Sequence, residues 1–328
     1  MRNLTAETVS GVVAEYSGLP ESELRARELG GGVSNRVWLV EGGGARLVLK
    51  QALPKLRVKE DWFSDPSRIH REAEALRRLT PFLPPGSIPR VLFEDREQYF
   101  YAMEAAAVEQ TWKDLLLAGD ANEAIAIRIA EIQAAMMTAT WHQPEFADSF
   151  GDLNAFDQLR VDPYYRFTAS RYPEYRSAFD AAIDRAVHER HCLVHGDWSP
   201  KNMMVNGEHV MAIDFEVIHY GDPAFDCGFL LNHLLLKSVH RRESRATYRR
   251  AAAAYWNRLS EISPANDGWL LNGVLVHLRC LLLARVDGKS PAEYLKEPLE
   301  REDVRRLAGS LMKTQARDVA EIFERMDR

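Results

Sequence analysis

The chain is poor in cysteine, in long apolar runs and in clustered basic charge. Its three cysteines, Cys192, Cys227 and Cys280, are odd in number and widely spaced. That excludes a disulfide framework and a zinc site and suits a reducing cytosol. The most apolar stretch, Val274 to Val286, is interrupted by His277, Arg279 and Arg285 and is too short to span a bilayer. Met1 to Ser10 hold no apolar signal core. With 42 basic against 48 acidic side chains, a net charge of −6 and no basic run, nothing calls for nucleic acid. The sequence has neither internal repeats nor low-complexity tracts. The expectation is a cytoplasmic protein that acts on small molecules, with no membrane and no nucleic acid as partner.

What is present is ordinary for a globular chain: 46% hydrophobic and 27% charged residues. At 328 residues it exceeds the roughly 250–300 at which a single core stops growing, so two domains are expected. The first third reads as strands with few helices. A short amphipathic helix covers 5–17 and stops at Gly18. Strands follow at Leu24–Leu29, Val33–Val40 and Arg46–Gln51, the last two joined by the turn Glu41-Gly42-Gly43-Gly44. Asp65-Pro66 opens a helix over 66–80, and strands return at Arg90–Glu94 and Tyr99–Glu104. Beyond 105 the pattern is helical, over 111–141, 164–190 and from Pro223 onward, around a small strand-turn patch at 192–215. The sequence therefore predicts an α+β fold. A sheet-rich N-terminal lobe spans 1–105 and a mainly helical C-terminal lobe spans 106–328, with a ligand in the crevice between them.

Chemistry concentrates in His195-Gly196-Asp197-Trp198-Ser199-Pro200-Lys201-Asn202, set between apolar strands, and in Ile213-Asp214-Phe215-Glu216. Each group has a plain structural reading: His-Gly-Asp as a capped turn, Asn202 as a turn residue, Asp214 as a cap. An Asp, an Asn five residues on and a second Asp twelve residues later, in that order, instead match what phosphoryl transfer needs. One carboxylate must face the attacking hydroxyl, and oxygen ligands must hold Mg²⁺ on the phosphates. Upstream, Gly30, Gly31 and Gly32, followed by Ser34 and Asn35, let backbone N–H groups approach phosphate. The same glycines suit a hairpin turn equally well. Lys50 ends the apolar run Leu47-Val48-Leu49, where burial without a partner is costly. Of Glu72 and Glu74 on the next helix, only one can face the sheet.

Taken together, the glycine loop, Lys50, the helix glutamate, the His-Gly-Asp loop, Asp214 and Gly221-Asp222-Pro223-Ala224-Phe225-Asp226 resemble the aminoglycoside phosphotransferase, choline kinase and methylthioribose kinase superfamily. This superfamily has a protein-kinase-like two-lobed fold. The resemblance implies ATP and Mg²⁺ as cofactors and a small-molecule hydroxyl as acceptor of the γ-phosphoryl group. It implies Asp197 as catalytic base, and Asn202, Asp214 and Glu216 as metal ligands. It implies Lys50 on the phosphates, held by Glu72, and a hinge from Glu104 to Ala106 that reads adenine. Asp226 would tie its helix to the catalytic loop. Lys50-Gln51-Ala52-Leu53-Pro54, continuing through Arg57, Glu60 and Trp62, looks most like methylthioribose kinases, and Arg279 aligns with one of their two sugar-holding arginines. The Pro-Lys-Asn ending is closer to aminoglycoside phosphotransferases. Trp198 and Arg279 are candidate acceptor contacts, against loop packing for the first and a structural ion pair for the second. Alternatives are an aminoglycoside kinase, for which the acids between 145 and 184 would line the site, a choline-type kinase with an aromatic cage, and a nucleotide-binding pseudokinase.

Overall fold

A computed structural model describes residues 4–30, 35–55 and 65–326. The chain divides into two compact units. One contains the residues up to Pro81 together with Ile88–Ala107; the other contains Phe82–Ser87 and Val108 onward.

The first unit is built on a five-stranded antiparallel sheet in the order β1-β2-β3-β5-β4. In chain order it runs α1 (Val9–Ser17), β1 (Arg25–Glu28), β2 (Asn35–Gly42), β3 (Ala45–Ala52), α2 (Arg68–Leu79), β4 (Val91–Asp95) and β5 (Phe100–Glu104). The glycines between β2 and β3 make the hairpin: Gly42, Gly43 and Gly44 all have positive φ, and a Cβ on Gly42 would strike the Glu23 carbonyl at 1.9 Å. Period-2 alternation sorts the faces. Trp38 and Val40 pair in register with Leu49 and Leu47 and, with Phe100 and Ala102, pack under Val9, Val12 and Val13 of α1. Lys50, one residue on from Leu49, therefore points to the opposite face, where α2 lies against β3, β4 and β5.

The second unit is mainly helical. It contains α3 (Trp112–Leu117), α4 (Glu123–Thr140) and α5 (Pro144–Phe150). A continuous run follows, made of α6 (Asn154–Phe156), a π-helical stretch at Asp157–Arg166 and α7 (Phe167–Ala169). After α8 (Arg176–His188) come two small ladders, β6 (Cys192–Val194) with β9 (His219–Gly221), and β7 (Met203–Asn206) with β8 (His209–Ala212). Helices α9 (Pro223–His240), α10 (Arg245–Ile262), α11 (Asp267–Asp287), α12 (Pro298–Lys313) and α13 (Val319–Glu324) complete it. The stretch 111–141, read as helical from sequence, is two helices separated at Gly119, whose φ of +92° an ordinary residue rarely adopts. Helix α11 is longer than the apolar stretch read from sequence and could cross a membrane by length and composition, but 67% of its apolar window is buried inside this unit, as in a core helix. It packs on α8, α9 and α12.

Candidate active site

The strands of the second unit exist to present two loops. The His195-Gly196-Asp197 loop leaves β6, and its backbone is fixed from below. Asp226 of α9 accepts the N–H groups of His195 at 2.7 Å and Gly196 at 2.9 Å. Burial nevertheless pushes the Asp226 carboxyl up to about 7. Gly196 is required by its φ of +76° and because a Cβ there would meet the Val217 carbonyl at 2.9 Å. The His195 ring closes the loop. Its Nδ1 accepts the Asp197 N–H at 3.1 Å, so Nε2 carries the proton and donates to the Ile213 carbonyl at 3.1 Å. Burial holds this imidazole neutral, lowering it to about 4.

Two further bonds stitch the second loop to the first. Asn202 Nδ2 donates to the Asp197 carbonyl at 2.9 Å, and the Ile213 N–H donates to the Asn202 carbonyl at 2.9 Å. Together with His195, this brings Asp197, Asn202 and Asp214 into one neighbourhood. Asp214 follows with a φ of 69°, a left-handed conformation that is strained for a non-glycine residue and re-aims the chain after β8. Asp197, Asp214 and Glu216 all act electrostatically on Arg160.

Asp197 is 4% exposed and bound by two cations, Arg160 Nη2 and Lys201 Nζ, each 2.9 Å from Oδ2. Burial alone would push its pKa up, but Arg160 and Lys201 outweigh it and hold the carboxyl well below the usual carboxylate range. Arg160 is delivered by the π-helical stretch, and its Nε also donates to the Gly196 carbonyl at 2.7 Å. Neither Arg160 nor Lys201 was singled out from sequence. Lys201 lies inside the recognised motif, whereas nothing local marks Arg160, because a π-helical turn has no periodicity that reveals which side chain it projects.

In the first unit, Lys50 Nζ meets Glu72 Oε1 at 2.9 Å and Oε2 at 2.8 Å, both side chains almost fully buried. Glu74 instead lies half exposed, 3.7 Å from Arg78. Gly30 has open space where a Cβ would stand, and Asn35 is buried at the start of β2. Gly31, Gly32 and Ser34, like Arg57, Glu60 and Trp62, lie outside the described residues. At the end of β5, Glu104 binds Arg90 Nε at 2.8 Å and the Ala106 carbonyl accepts from Arg46.

The remaining candidates separate. Trp198 is fully buried, packed edge-on against His195 with ring centroids 5.4 Å apart. Arg279 is half-buried on α11 with no hydrogen bond to its Nε, beside the Cys280 thiol. Arg285, six residues along the same helix and so about 120° around it, turns to Tyr164 of the π-helical stretch, its Nη1 3.3 Å from the phenol oxygen. Four of the eight acids between 145 and 184 are paired with cations at the surface: Asp157 with Arg166, Asp162 with Lys289, Asp180 with Arg176 and Asp184 with His188.

Among the described residues no three His, Cys, Asp or Glu side chains converge as a metal cluster. The donors near Asp197 nevertheless fit Mg²⁺. They are hard oxygens, and since Asn202 donates through Nδ2, its Oδ1 is left without a hydrogen bond among the described residues.

The family match and the relatives make this chain a small-molecule kinase. The sequence pattern of the phosphotransferase enzyme family matches residues 25–269, and the chain belongs to that family. It is 28% identical over 291 residues to methylthioribose kinase of Pectobacterium carotovorum subsp. carotovorum (strain PC1), covering 80% of this chain and 72% of that one. The Escherichia coli O45:K1 (strain S88) methylthioribose kinase is 29% identical over 273 residues, covering 73% and 65%. The fold is shared with amicoumacin kinase hAmiN in complex with AMP-PNP, Ca²⁺ and Ami (TM-score 0.57, 13% identity, 97% of each chain covered). It is also shared with ADP-bound aminoglycoside phosphotransferase APH(2'')-Ib (TM-score 0.53, 18% identity, 98% and 99% covered).

Proposed function

We propose that this cytoplasmic enzyme transfers the γ-phosphoryl group of ATP to a hydroxyl of a sugar-sized metabolite, with Asp197 facing that hydroxyl. The observation that carries the reading is the bonded set Asp197, Asn202 and Ile213-Asp214, which holds a carboxylate and a hard-oxygen donor pair in one place. Gly30, Gly31, Gly32, Ser34, Asn35 and Lys50, with Glu72 holding the lysine, bind the phosphates. The backbone between Glu104 and Ala106 reads the base.

Asn202, Asp214 and Glu216 hold Mg²⁺, which when bound neutralises phosphate charge. Asp197, ionised at any working pH because of Arg160 and Lys201, accepts the hydrogen bond of the acceptor hydroxyl and aims its oxygen. So acidic a carboxylate is a weak base, which suits a loose transition state in which the hydroxyl proton leaves late. Lys201 and Arg160 limit the repulsion between Asp197 and an incoming triphosphate. Catalysis is then positioning and electrostatics.

The likeness to methylthioribose kinases supports a sugar acceptor. The surface pairing of the acids between 145 and 184 weighs against polycationic aminoglycosides, and the presence of Lys50, Asp197, Asn202 and Asp214 weighs against a pseudokinase. Calorimetric titration with a non-hydrolysable ATP analogue tests the site. Wild type binds more tightly with Mg²⁺ than without, and Asp214→Asn loses that gain, on the order of 10-fold or more. A full-length protein that ignores Mg²⁺-nucleotide, or an Asp214→Asn variant indistinguishable from wild type, removes the basis of the proposal.

A further inference from the structure

Beside Asp197 lies a group of cations that the transfer chemistry does not use. Lys237 of α9 is 1% exposed, yet it has no carboxylate within ion-pair distance among the described residues. Its Nζ lies 5.0 Å from the centre of the Tyr294 ring. The acid that acts on it, Glu293, is already bound by Lys113 at 2.5 Å. One turn back on α9, His233 is 8% exposed and its buried Nδ1 has no hydrogen-bond partner. One turn further back, Phe229 joins this row to the active-site arginine: its ring lies 5.2 Å from that of His233 and 5.9 Å from the Arg160 guanidinium.

Arg285 completes the set. All its side-chain hydrogen bonds among the described residues, to Tyr164 and to both the carbonyl and hydroxyl of Ser290, run through Nη1. Nε is buried without a partner and Nη2 makes no hydrogen bond among the described residues. The Nε–Nη2 edge is the fork that binds a carboxylate or phosphate with two parallel bonds. Arg160 and Arg285 flank the same Tyr164 ring, each 5.9 Å from its centre. Lys237, Arg285, Asp197 and Lys201 all act on His233, so the free cations lie within electrostatic reach of the carboxylate that aims the hydroxyl.

A buried ammonium within electrostatic reach of a half-buried guanidinium whose buried Nε has no partner is costly unless something anionic arrives. Burial, with help from Arg285 and Lys113, pushes Lys237 down to about 7. A bound anion would restore its full charge.

We propose that the acceptor is itself an anion, a hydroxy compound carrying a carboxylate or phosphate group that Arg285 grips by its Nε–Nη2 edge and Lys237 neutralises. This rests on the phosphotransferase reading and names its substrate class. Arg279, the position that the resemblance to methylthioribose kinases aligns with a sugar-holding arginine, faces elsewhere on α11.

The test measures ADP release from Mg·ATP with matched acceptors: gluconate against gluconamide for a carboxylate, and ribose 5-phosphate against ribose for a phosphate. Wild type should prefer the charged member of one pair at least 10-fold in kcat/KM, and the pair preferred identifies the group. Lys237→Met and Arg285→Gln should each collapse that preference through KM, on the order of 10- to 100-fold. Lys237→Met removes a buried charge without a cavity, so its melting temperature should not fall and the variant remains interpretable. Preference for the neutral members, or a preference that both variants leave intact, overturns the anion proposal while the kinase stands. If none of the four consumes ATP, the acceptor lies outside this set. The anion site is then decided by equilibrium dialysis of radiolabelled phosphate and gluconate: retention by wild type that Lys237→Met loses sustains it, and equal retention or none overturns it.

Discussion

In the sheet unit Lys50 is buried against Glu72, both carboxylate oxygens within 2.9 Å of its ammonium. In the helical unit Lys237 is buried as deeply against an aromatic ring and other cations, with no acid in contact among the described residues. The first arrangement is complete in the protein alone. The pair fixes the position of a charge. The second is incomplete until a ligand brings the missing sign. A buried ion whose partner is present reports on architecture, and one whose partner is absent reports on what the site is built to receive.

Removing each lysine should separate the two cases. Lys50→Met strands Glu72 as a buried, unpaired carboxylate, so chemical denaturation should show a loss of about 3–5 kcal/mol along with weakened nucleotide binding. An unchanged unfolding midpoint would mean that the pair does not hold α2 to the sheet.

The neutral imidazole of His195 gives the next largest effect. Its folded value of about 4 lies below the unfolded 6.5, so between those limits the unfolded chain binds the extra proton and stability falls as pH drops. Fully expressed, that is about 3 kcal/mol. Urea unfolding at pH 7.5 and pH 5 should show most of it, with His233 adding in the same direction because burial and Lys237 hold it well below its ordinary value. A His195→Asn variant should flatten the slope. An equally steep slope in that variant would place the titration elsewhere.

Lys237→Met should run opposite to Lys50→Met, stabilising the free enzyme by about 1–3 kcal/mol at pH 6. Because the folded lysine titrates near 7 and the unfolded one near 10.4, wild type gains stability as pH rises through that window. The advantage of the variant should therefore shrink toward pH 10. Destabilisation by this substitution would show that Lys237 is already paired.

Much of the first unit was legible because the sheet obeys simple rules. Alternation placed Leu47 and Leu49 on one face and Lys50 on the other, and glycines marked the β2–β3 turn. The strands shifted by a residue or two at their ends, where pairing rather than propensity decides the limit. The helical unit was legible where spacing is short: His195 to Asn202, then Asp214. It was illegible where chemistry is assembled over distance. Arg160 reaches Asp197 across 37 positions through an irregular helix, and Arg285 and Lys237 come from helices whose apolar character gave no hint that a cation was left unpaired. Arg279 drew attention in the sequence because it breaks an apolar run, but the helical rotation assigns the turn toward Tyr164 to Arg285. Nothing in the linear order could distinguish them without the position of the π-helical stretch.

The central claim is that Asp197 faces the acceptor hydroxyl in a phosphoryl-transfer centre. It is tested most directly by comparing Asp197→Asn with wild type in Mg·ATP-dependent phosphorylation of the best acceptor, alongside nucleotide affinity for both. The account predicts that phosphorylation falls by about 10²–10⁴-fold while Mg·ATP affinity changes little. Phosphorylation at the wild-type rate by Asp197→Asn would contradict it.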